Sequence, residues 1–474
     1  MTNIAAPHID ALRTLLGESG LLVEKHDLEA YETGARFDRG VAAFVMRPKS
    51  TEEVSAAVAY CVTHRIDFIP QSGNTGLVSG STPDETGTQA ILSLDRLTTL
   101  GGIDVVNRSV NAGAGVRLSA LNARAETDGL FFPIDLGADP MLGGMIATNT
   151  GGSRFLRYGD VRANTLGLKV VLADEAGTVL DFTSGLRKNN TGVDWKHLFI
   201  GTTGVFGIVT ECVLNLEPLP GQQATALLVP ASDQAVPGLL VQMEQACGSA
   251  LSAFEGMSGN SIRAALAHVP ALRNPFEGGI VPDFVILMEL TRTSQACERD
   301  QPLDALLESV LAEIWDSTNK PLANALMGPP AEMWALRHAL SEGVRHSGRL
   351  FAFDLSFRRG DTLAFLAQMK AQLADTYPDL TVCDFGHLGD GGVHFNLVAQ
   401  PDDPDLADPG FEAALRDLVF SVAVDDFGGS FSAEHGIGHK NQAWYDHYTP
   451  QAVRTLAASL KRAISPGKRG AMHF

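Results

Sequence analysis

Apolar residues first recur at helical spacing. Ile9, Leu12, Leu15 and Leu16, then Leu21, Leu22 and Leu28, predict helical cover over residues 8–35. Lys49-Ser50-Thr51-Glu52 reads as a helix entry, where Ser50 or Thr51 accepts from the free amides and Glu52 and Glu53 meet the positive end. Val54, Ala57, Val58 and Cys61 form that helix's inward face. Phe68-Ile69-Pro70 then reads as a short strand breaking into a glycine-rich turn over residues 71–80. Alternation predicts strands within residues 90–116 and a helix over 118–130. A hairpin is expected in LGLKVVLADEAGTVLDF, turning at Glu175-Ala176-Gly177, and a strand over 208–214. Pro218 and Pro220 mark the exit of a first lobe, 1–220. Residues 221–425 change to longer helix and strand segments, an α+β second lobe. Residues 426–474 regain glycine and are expected to return to the lobe interface, where ligand sites form.

Composition narrows the classes. A chain of 474 residues exceeds one core and suits two or three packed lobes. With 45% hydrophobic and 19% charged residues it is globular rather than disordered. A net charge of −19 without a basic patch argues against nucleic acid and anionic lipid as partners. Cys61, Cys212, Cys247, Cys297 and Cys383 are odd in number and far apart, with no CxxC, which fits a reducing compartment. The first residues lack a signal-peptide pattern, and no apolar run approaches the about 20 residues of a membrane span. A cytoplasmic protein is expected.

The 48 glycines cluster, and the clusters carry the chemistry. In PQSGNTGLVSGS, closely spaced glycines let backbone amides approach an anion, and Ser72, Asn74, Thr75 and Ser81 add donors. These are the ingredients of a pyrophosphate cradle, although the loop is neither GxGxxG nor GxxxxGK[ST], and an ordinary glycine turn is the alternative. LGGMIATNTGGSRFLRYGD supplies Gly143-Gly144 and Gly151-Gly152 around Thr148 and Asn149. Small residues at that density admit either a flat aromatic cofactor or a closely packed helix and strand. FIGTTGVFGIVTE would form another wall.

In GHLGDGGVHFN, His387 and His394 straddle a glycine-rich turn able to bring both imidazoles to one point, and SAEHGIG adds Glu434 and His435. Two histidines and a carboxylate suit Zn²⁺ or a similar divalent ion. Asn396, two residues after His394, shares its strand face. Neighbours in an extended segment point opposite ways, so His435 is freer than a ligand to act as general base. Arg337 and Ser341 share a helix face, where the arginine fork suits a carboxylate; a solvent-facing arginine is the alternative.

These blocks, with LRKNNTGVDWKHLFIG, occur in the order found in flavoproteins of the vanillyl-alcohol oxidase and p-cresol methylhydroxylase (PCMH) fold. Over nearly the whole chain the sequence resembles the branch of D-2-hydroxyglutarate dehydrogenase, D-lactate dehydrogenase and the glycolate oxidase FAD subunit. The resemblance implies an α+β fold: a PCMH-type FAD-binding domain of two subdomains, an α+β cap with an antiparallel sheet, and a C-terminal segment returning to the flavin. It implies that Pro70, Gln71, Ser72, Gly73, Asn74, Thr75 and Gly76 hold the FAD pyrophosphate, with Ser81 of the same loop nearby. Pro133, Asp135, Gly137, Gly143, Gly144, Thr148, Asn149, Gly152, Gly159, Gly204, Gly207 and Ile208 would line flavin and adenine. His387, His394 and Glu434 become metal ligands, His435 the base, Arg337 and Ser341 the grip on the substrate carboxylate, and Asn396 a neighbour of the hydroxyl or flavin.

Three departures from the family stand out. Ala352 replaces a lysine two residues before Asp354, which points to a smaller or less charged hydroxy acid. Gly392 replaces an asparagine, and the tail SPGKRGAMHF places His473 where an asparagine-proline close is usual. No histidine or cysteine stands in the glycine loops, so FAD is expected to be noncovalent. The expected activity is oxidation of a D-2-hydroxy acid to the 2-oxo acid, the metal lowering the hydroxyl pKa and His435 taking its proton as hydride leaves for flavin N5. Electron-transfer flavoprotein or a quinone is the expected acceptor, and a homodimer follows by analogy. The alternatives are an oxygen-using 2-hydroxy-acid oxidase and a non-catalytic flavin-binding subunit.

Overall fold

The computed structural model describes residues 6–35, 39–295, 301–467 and 472–474. Cys297 lies outside them. The fold is α+β, with two four-stranded sheets, a two-stranded ladder of Leu130–Phe131 with Glu217–Pro218, and one eight-stranded sheet among the described residues.

Helix Ala6–Leu16 is followed by a short strand, Leu21–Leu22, and not by continued helix as the leucine spacing predicts. Gly17, at φ 73°, and the turn Glu18–Gly20 end the helix, and Leu21 and Leu22 pair with Met46 and Val45. Tertiary pairing overrides the helical period here. The resulting sheet runs Leu21–Leu22, Ala42–Met46, Gln89–Ser93, Phe68–Gln71, with its last two pairings parallel. Helix Thr51–Thr63 packs Val54, Ala57, Val58 and Cys61 into the same core. Ser50 is its cap, accepting from the Glu53 amide at 3.2 Å, while Thr51 instead bonds Thr210.

A second, antiparallel sheet joins Ser109–Gly113, Ile208–Asn215, Thr165–Val171 and Val179–Asp181. Its last two strands form the expected hairpin, with Gly177 at φ 59° in the turn. The C-terminal helix Gln451–Ile464 lays Ala457, Leu460 and Ile464 against this sheet's core.

The large sheet is antiparallel and eight-stranded among the described residues. Its path runs Leu322–Gly328, Gln222–Pro230, Phe284–Arg292, Leu251–Ser258, Phe385–Gly386, Gly392–Ala399, Arg349–Ser356, with Thr381–Val382 attached to Gly392–Ala399. Helices cover both faces, which explains why FVILMEL is apolar at every position but Glu289. Ile286, Met288 and Leu290 face one core, and Val285 and Leu287 the other. The same alternation sends Val393, Phe395 and Leu397 into the first core and His394 and Asn396 to the opposite face. Across the ladder Asp354 pairs with His394 and Ala352 with Asn396. Helix Pro330–His346 lies over that opposite face, bringing Arg337 to it.

Candidate functional site

A cavity of about 630 Å³ opens between the glycine-rich loops and the large sheet, within the usual size of a cofactor site. Every residue expected at the cofactor lines it except Pro133, Asn149 and Gly159. Asn149 ends helix Leu142–Thr148 in the left-handed region and bonds the Asp160 carboxylate at 2.7 Å and the Arg162 amide at 2.9 Å. Gly159, at φ 71°, ends the turn Phe155–Tyr158. Both shape the chain locally, and Pro133 stands off the wall.

The loop after strand Phe68–Gln71 differs from the expectation in one respect. Gln71 Nε2 donates to the carbonyls of Tyr31 and Ser81, Asn74 Nδ2 to the Thr33 carbonyl, and Ser81 Oγ to Asn74 Oδ1, all at 2.8–2.9 Å. Ser72 Oγ donates to the Ala114 carbonyl at 3.3 Å. Of the side chains counted as anion donors, Ser72, Asn74 and Ser81 are engaged in closing the loop, which leaves Thr75 and the loop backbone to meet a ligand. The wall fits a cofactor: at Gly76 and Gly137 a Cβ would meet nothing within 4 Å and would stand in open space.

At the sheet end of this cavity the histidine and carboxylate motifs converge. The turn between Phe385–Gly386 and Gly392–Ala399 closes through amides of Gly391 and Gly392, each donating to the His387 carbonyl at 3.0 Å. It brings the His387 and His394 rings to 5.3 Å between centroids. Gly151 makes room for the acid, since a Cβ there would lie 3.0 Å from Glu434 Oε2. His394, His387 and His435 place Nε2 at 3.6, 3.7 and 3.9 Å from Glu434 Oε1. These distances are too long for hydrogen bonds. They approach the edge of a ligand polyhedron, roughly 3.4 Å for tetrahedral ligands at about 2.1 Å.

Glu434 and His435 were expected to point apart and do not. Both backbone amides donate to Asp354 Oδ2 at 2.8 Å, which bends the segment and turns the two side chains together. The His394 and His435 rings stack, 8° apart in plane. Ligand atoms of Asp354, His394, Glu434 and His435 lie within 4.8 Å of one another, so the tightest set differs from the expected His387, His394 and Glu434. Carboxylates also back each imidazole at Nδ1: Glu255 is 2.9 Å from His387, and Asp354 is 3.5 Å from His394 and 3.7 Å from His435. That arrangement presents Nε2 as the ligand atom. Asp354 Oδ1 is buried without a hydrogen bond, an orphan that a cationic site accommodates.

Burial opposes charge on His387, Glu434 and Asp354, and the attraction of their neighbours outweighs it. Glu255 and Glu434 raise His387 well above the usual imidazole value. His387 and His394 hold Glu434 down to about 2, and His435 and His394 hold Asp354 well below the usual carboxylate range.

Arg337 lines the cavity but is not a free fork. Its Nε and Nη2 hold Glu255 Oε2 at 2.9 and 2.8 Å, so Arg337, Glu255 and His387 form one chain. Glu255 is buried and ionised, because His387 and Arg337 more than offset its desolvation. A second buried acid, Glu289, accepts from Ser252 and Trp334 at 2.7 Å and from Arg154 and Gln223 at 3.1 Å. The sequence reading missed Glu255 and Glu289. Their signal was a lone carboxylate in an otherwise apolar strand, costly unless paired. Ser341 and Asn396 both line the cavity, and His473 does not; it is 69% exposed, bonding Gln442 through its backbone.

Residues 42–183 match the FAD binding domain family, and residues 219–469, over half the chain, match the C-terminal domain of FAD linked oxidases. The chain is 31% identical over 470 residues to the mitochondrial D-2-hydroxyglutarate dehydrogenase of Arabidopsis thaliana, covering 98% of itself and 80% of that protein. It is 33% identical over 471 residues to the D-2-hydroxyglutarate dehydrogenase of Xanthomonas citri pv. viticola, covering 97% and 95%. Among solved structures, p-cresol methylhydroxylase with substrate bound superposes at a TM-score of 0.74, covering 98% of this chain and 96% of that one at 15% identity. Alkyldihydroxyacetonephosphate synthase gives 0.71, covering 98% and 84%, also at 15%. These two show the shared fold. With the glycine-walled cavity and the converging histidines, the matches establish that the chain belongs to the FAD-linked D-2-hydroxy-acid dehydrogenase family.

Proposed function

We propose that this FAD-dependent oxidoreductase converts a D-2-hydroxy acid to its 2-oxo acid with metal assistance, at a site shared by three parts of the chain. Residues 1–220 hold noncovalent FAD, 221–425 hold the substrate, and 426–474 complete the site. When bound, FAD supplies the two-electron acceptor for the substrate's C2–H bond. A divalent cation, Zn²⁺ by its nitrogen-rich donors, would be held by His387, His394 and Glu434 and would supply Lewis acidity at the hydroxyl.

The geometry supports the protein's own part in this chemistry. Glu255 occupies Nε and Nη2 of Arg337, which leaves Nη1 to meet the substrate carboxylate, with Ser341 beside it on the helix. His435 Nε2 takes the hydroxyl proton, and Asp354 near its Nδ1 orients the ring and favours the imidazolium that forms. Asn396 borders the hydroxyl. The observation carrying this reading is the convergence of three Nε2 atoms on one Glu434 oxygen inside the glycine-walled cavity.

Reoxidation by electron-transfer flavoprotein or a quinone belongs to the same reading and is supported by the dehydrogenase names of the relatives. Among the described residues four buried cysteines form no disulfide, which favours a reducing compartment, and we take it to be the cytoplasm. Among the described residues no helix is long and apolar enough to cross a membrane. His435→Ala is expected to keep the flavin spectrum and lose at least 100-fold in the rate of anaerobic bleaching by D-2-hydroxy acids, the usual span of general-base catalysis being about 10²–10⁴. Bleaching at the parent rate would remove His435 from the base role.

A further inference from the structure

Two buried acids on one face of the large sheet hold helix Pro330–His346 at successive turns. Glu255 takes Arg337, and Glu289 takes Trp334, whose Nε1 donates to Glu289 Oε2 at 2.7 Å. Glu289 also reaches the flavin wall. Arg154 Nε, from the turn after Gly151-Gly152, donates to Glu289 Oε1 at 3.1 Å, and its Nη1 stands 3.7 Å from Asp135 Oδ2. The same Asp135 oxygen accepts from the Ser153 hydroxyl at 2.8 Å and lies 3.5 Å from His338 Nε2. His338 follows Trp334 by one helical turn and stacks on its indole, with 5.3 Å between ring centroids; the Arg154 guanidinium lies 5.4 Å from the centre of that indole. Glu289, Arg154, Asp135, His338 and Trp334 thus close a circuit between the flavin wall and the substrate helix.

The circuit runs along the edge of the cavity. Asp135, Ser153 and His338 line it, whereas Arg154, Glu289 and Trp334 stand behind the wall. On the flavin side Asp135 and Gly152 pack as one unit, since a Cβ on Gly152 would come 2.7 Å from the Asp135 carbonyl oxygen. On the helix side Arg337 follows Trp334, and Ser341 follows His338, by three residues, the spacing of neighbours on one face. Whatever fixes Trp334 and His338 against Asp135 therefore fixes the carboxylate grip against the flavin wall.

Apolar packing alone could hold these surfaces together. Glu289 is 0% exposed, and a buried ion pair gains little over apolar side chains of the same volume, because desolvation offsets the attraction. What charge adds is direction. One planar guanidinium must meet two carboxylates from different lobes with its face on an indole, conditions that select one spacing.

We propose that Arg154 is a positioning residue, whose circuit with Glu289, Trp334, His338 and Asp135 sets the distance at which Arg337 and Ser341 present substrate to the flavin. This rests on the reading that Arg337 and Ser341 hold the substrate carboxylate. Arg154, outside the cavity lining, acts through the helix. Opening the circuit leaves the grip itself intact, with Arg337 still on Glu255, and misplaces C2 against the flavin; a displacement of about 1 Å costs on the order of 100-fold in rate.

The test is anaerobic bleaching per bound flavin over a concentration series of D-2-hydroxy acid, in the parent, Arg154→Lys, His338→Ala and Arg157→Lys. Lysine keeps the charge of Arg154 but has no fork to meet Glu289 and Asp135 together. Arg154→Lys is expected to lower the limiting rate about tenfold or more while the half-saturating concentration stays within about threefold of the parent. His338→Ala, which opens the circuit at its more exposed end, is expected to lower the same rate about threefold. Arg157 supplies the control: its Nη1 also crosses to the large sheet, donating to the Thr291 hydroxyl at 2.6 Å, but it lies outside the circuit. Arg157→Lys should change the yield of flavin-loaded protein and not the rate per bound flavin. Parent-rate bleaching by Arg154→Lys, a change confined to the half-saturating concentration, or an equal loss of rate in Arg157→Lys overturns the positioning role. Should Arg154→Lys retain no flavin, His338→Ala decides alone, and its bleaching at the parent rate overturns the role. Failure of every D-2-hydroxy acid to bleach the parent flavin would instead sink the underlying reading of the site, and the positioning role with it.

Discussion

Burial alone would raise the Asp135 carboxyl, yet His338 at 3.5 Å, Arg154 at 3.7 Å and the Ser153 hydroxyl at 2.8 Å hold it down to about 2. A carboxylate depressed from about 3.9 contributes about 2 kcal/mol above pH 4, and that contribution is lost as pH falls toward 2. Thermal unfolding should therefore show Asp135→Asn well below the parent at pH 7, with the gap narrowing as pH approaches 2. A gap independent of pH would mean that the carboxylate's charge does not stabilise the fold. At this scale the sequence was legible where chemistry is local. His387, His394, Glu434, His435 and Arg337 stand in motifs, whereas Glu255 and Glu289 are lone acids whose partners come from distant segments. The bend that joins Glu434 to His435 was equally invisible, because it is made by Asp354, 80 residues earlier in the chain.

Elements were readable where side chains bond or pack within one segment. Ser50 caps helix Thr51–Thr63 as expected, with the Glu53 carboxylate reaching back to the Lys49 amide at 2.9 Å. Ser50→Ala should cost about 1 kcal/mol in a urea unfolding titration. A loss under a few tenths would show that the Ser50 bond to the Glu53 amide is dispensable. The hairpin of Thr165–Val171 and Val179–Asp181 was likewise fixed by alternation and its turn. Leu21–Leu22 was not, since two leucines at helical spacing become a strand only when Val45 and Met46 are there to pair with them. In the large sheet, period-two alternation assigned His394 and Asn396 to one face, but the occupant of that face depended on where helix Pro330–His346 packs.

The site exists only in the whole molecule. His387 and His394 come from a turn of the large sheet and the strand after it, Glu434 and His435 from the bend at 434–435, and the glycine wall from loops around the smaller sheets. Chelation is accordingly expected to abolish substrate-driven bleaching while leaving the flavin bound to its separate wall. Undiminished turnover by enzyme verified as metal-free would reject the metal-assisted mechanism. The sequence by itself determined the chemical inventory, the family pattern and the period of most elements, because glycine clusters, caps and alternating strands act over a few residues. Tertiary structure alone decided that three Nε2 atoms face one carboxylate oxygen, that Arg337 is already held by Glu255, and that Arg154 stands between Glu289 and Asp135. Each is a meeting of side chains from separate segments, and the distances between them are set by packing, which leaves no trace in local spacing.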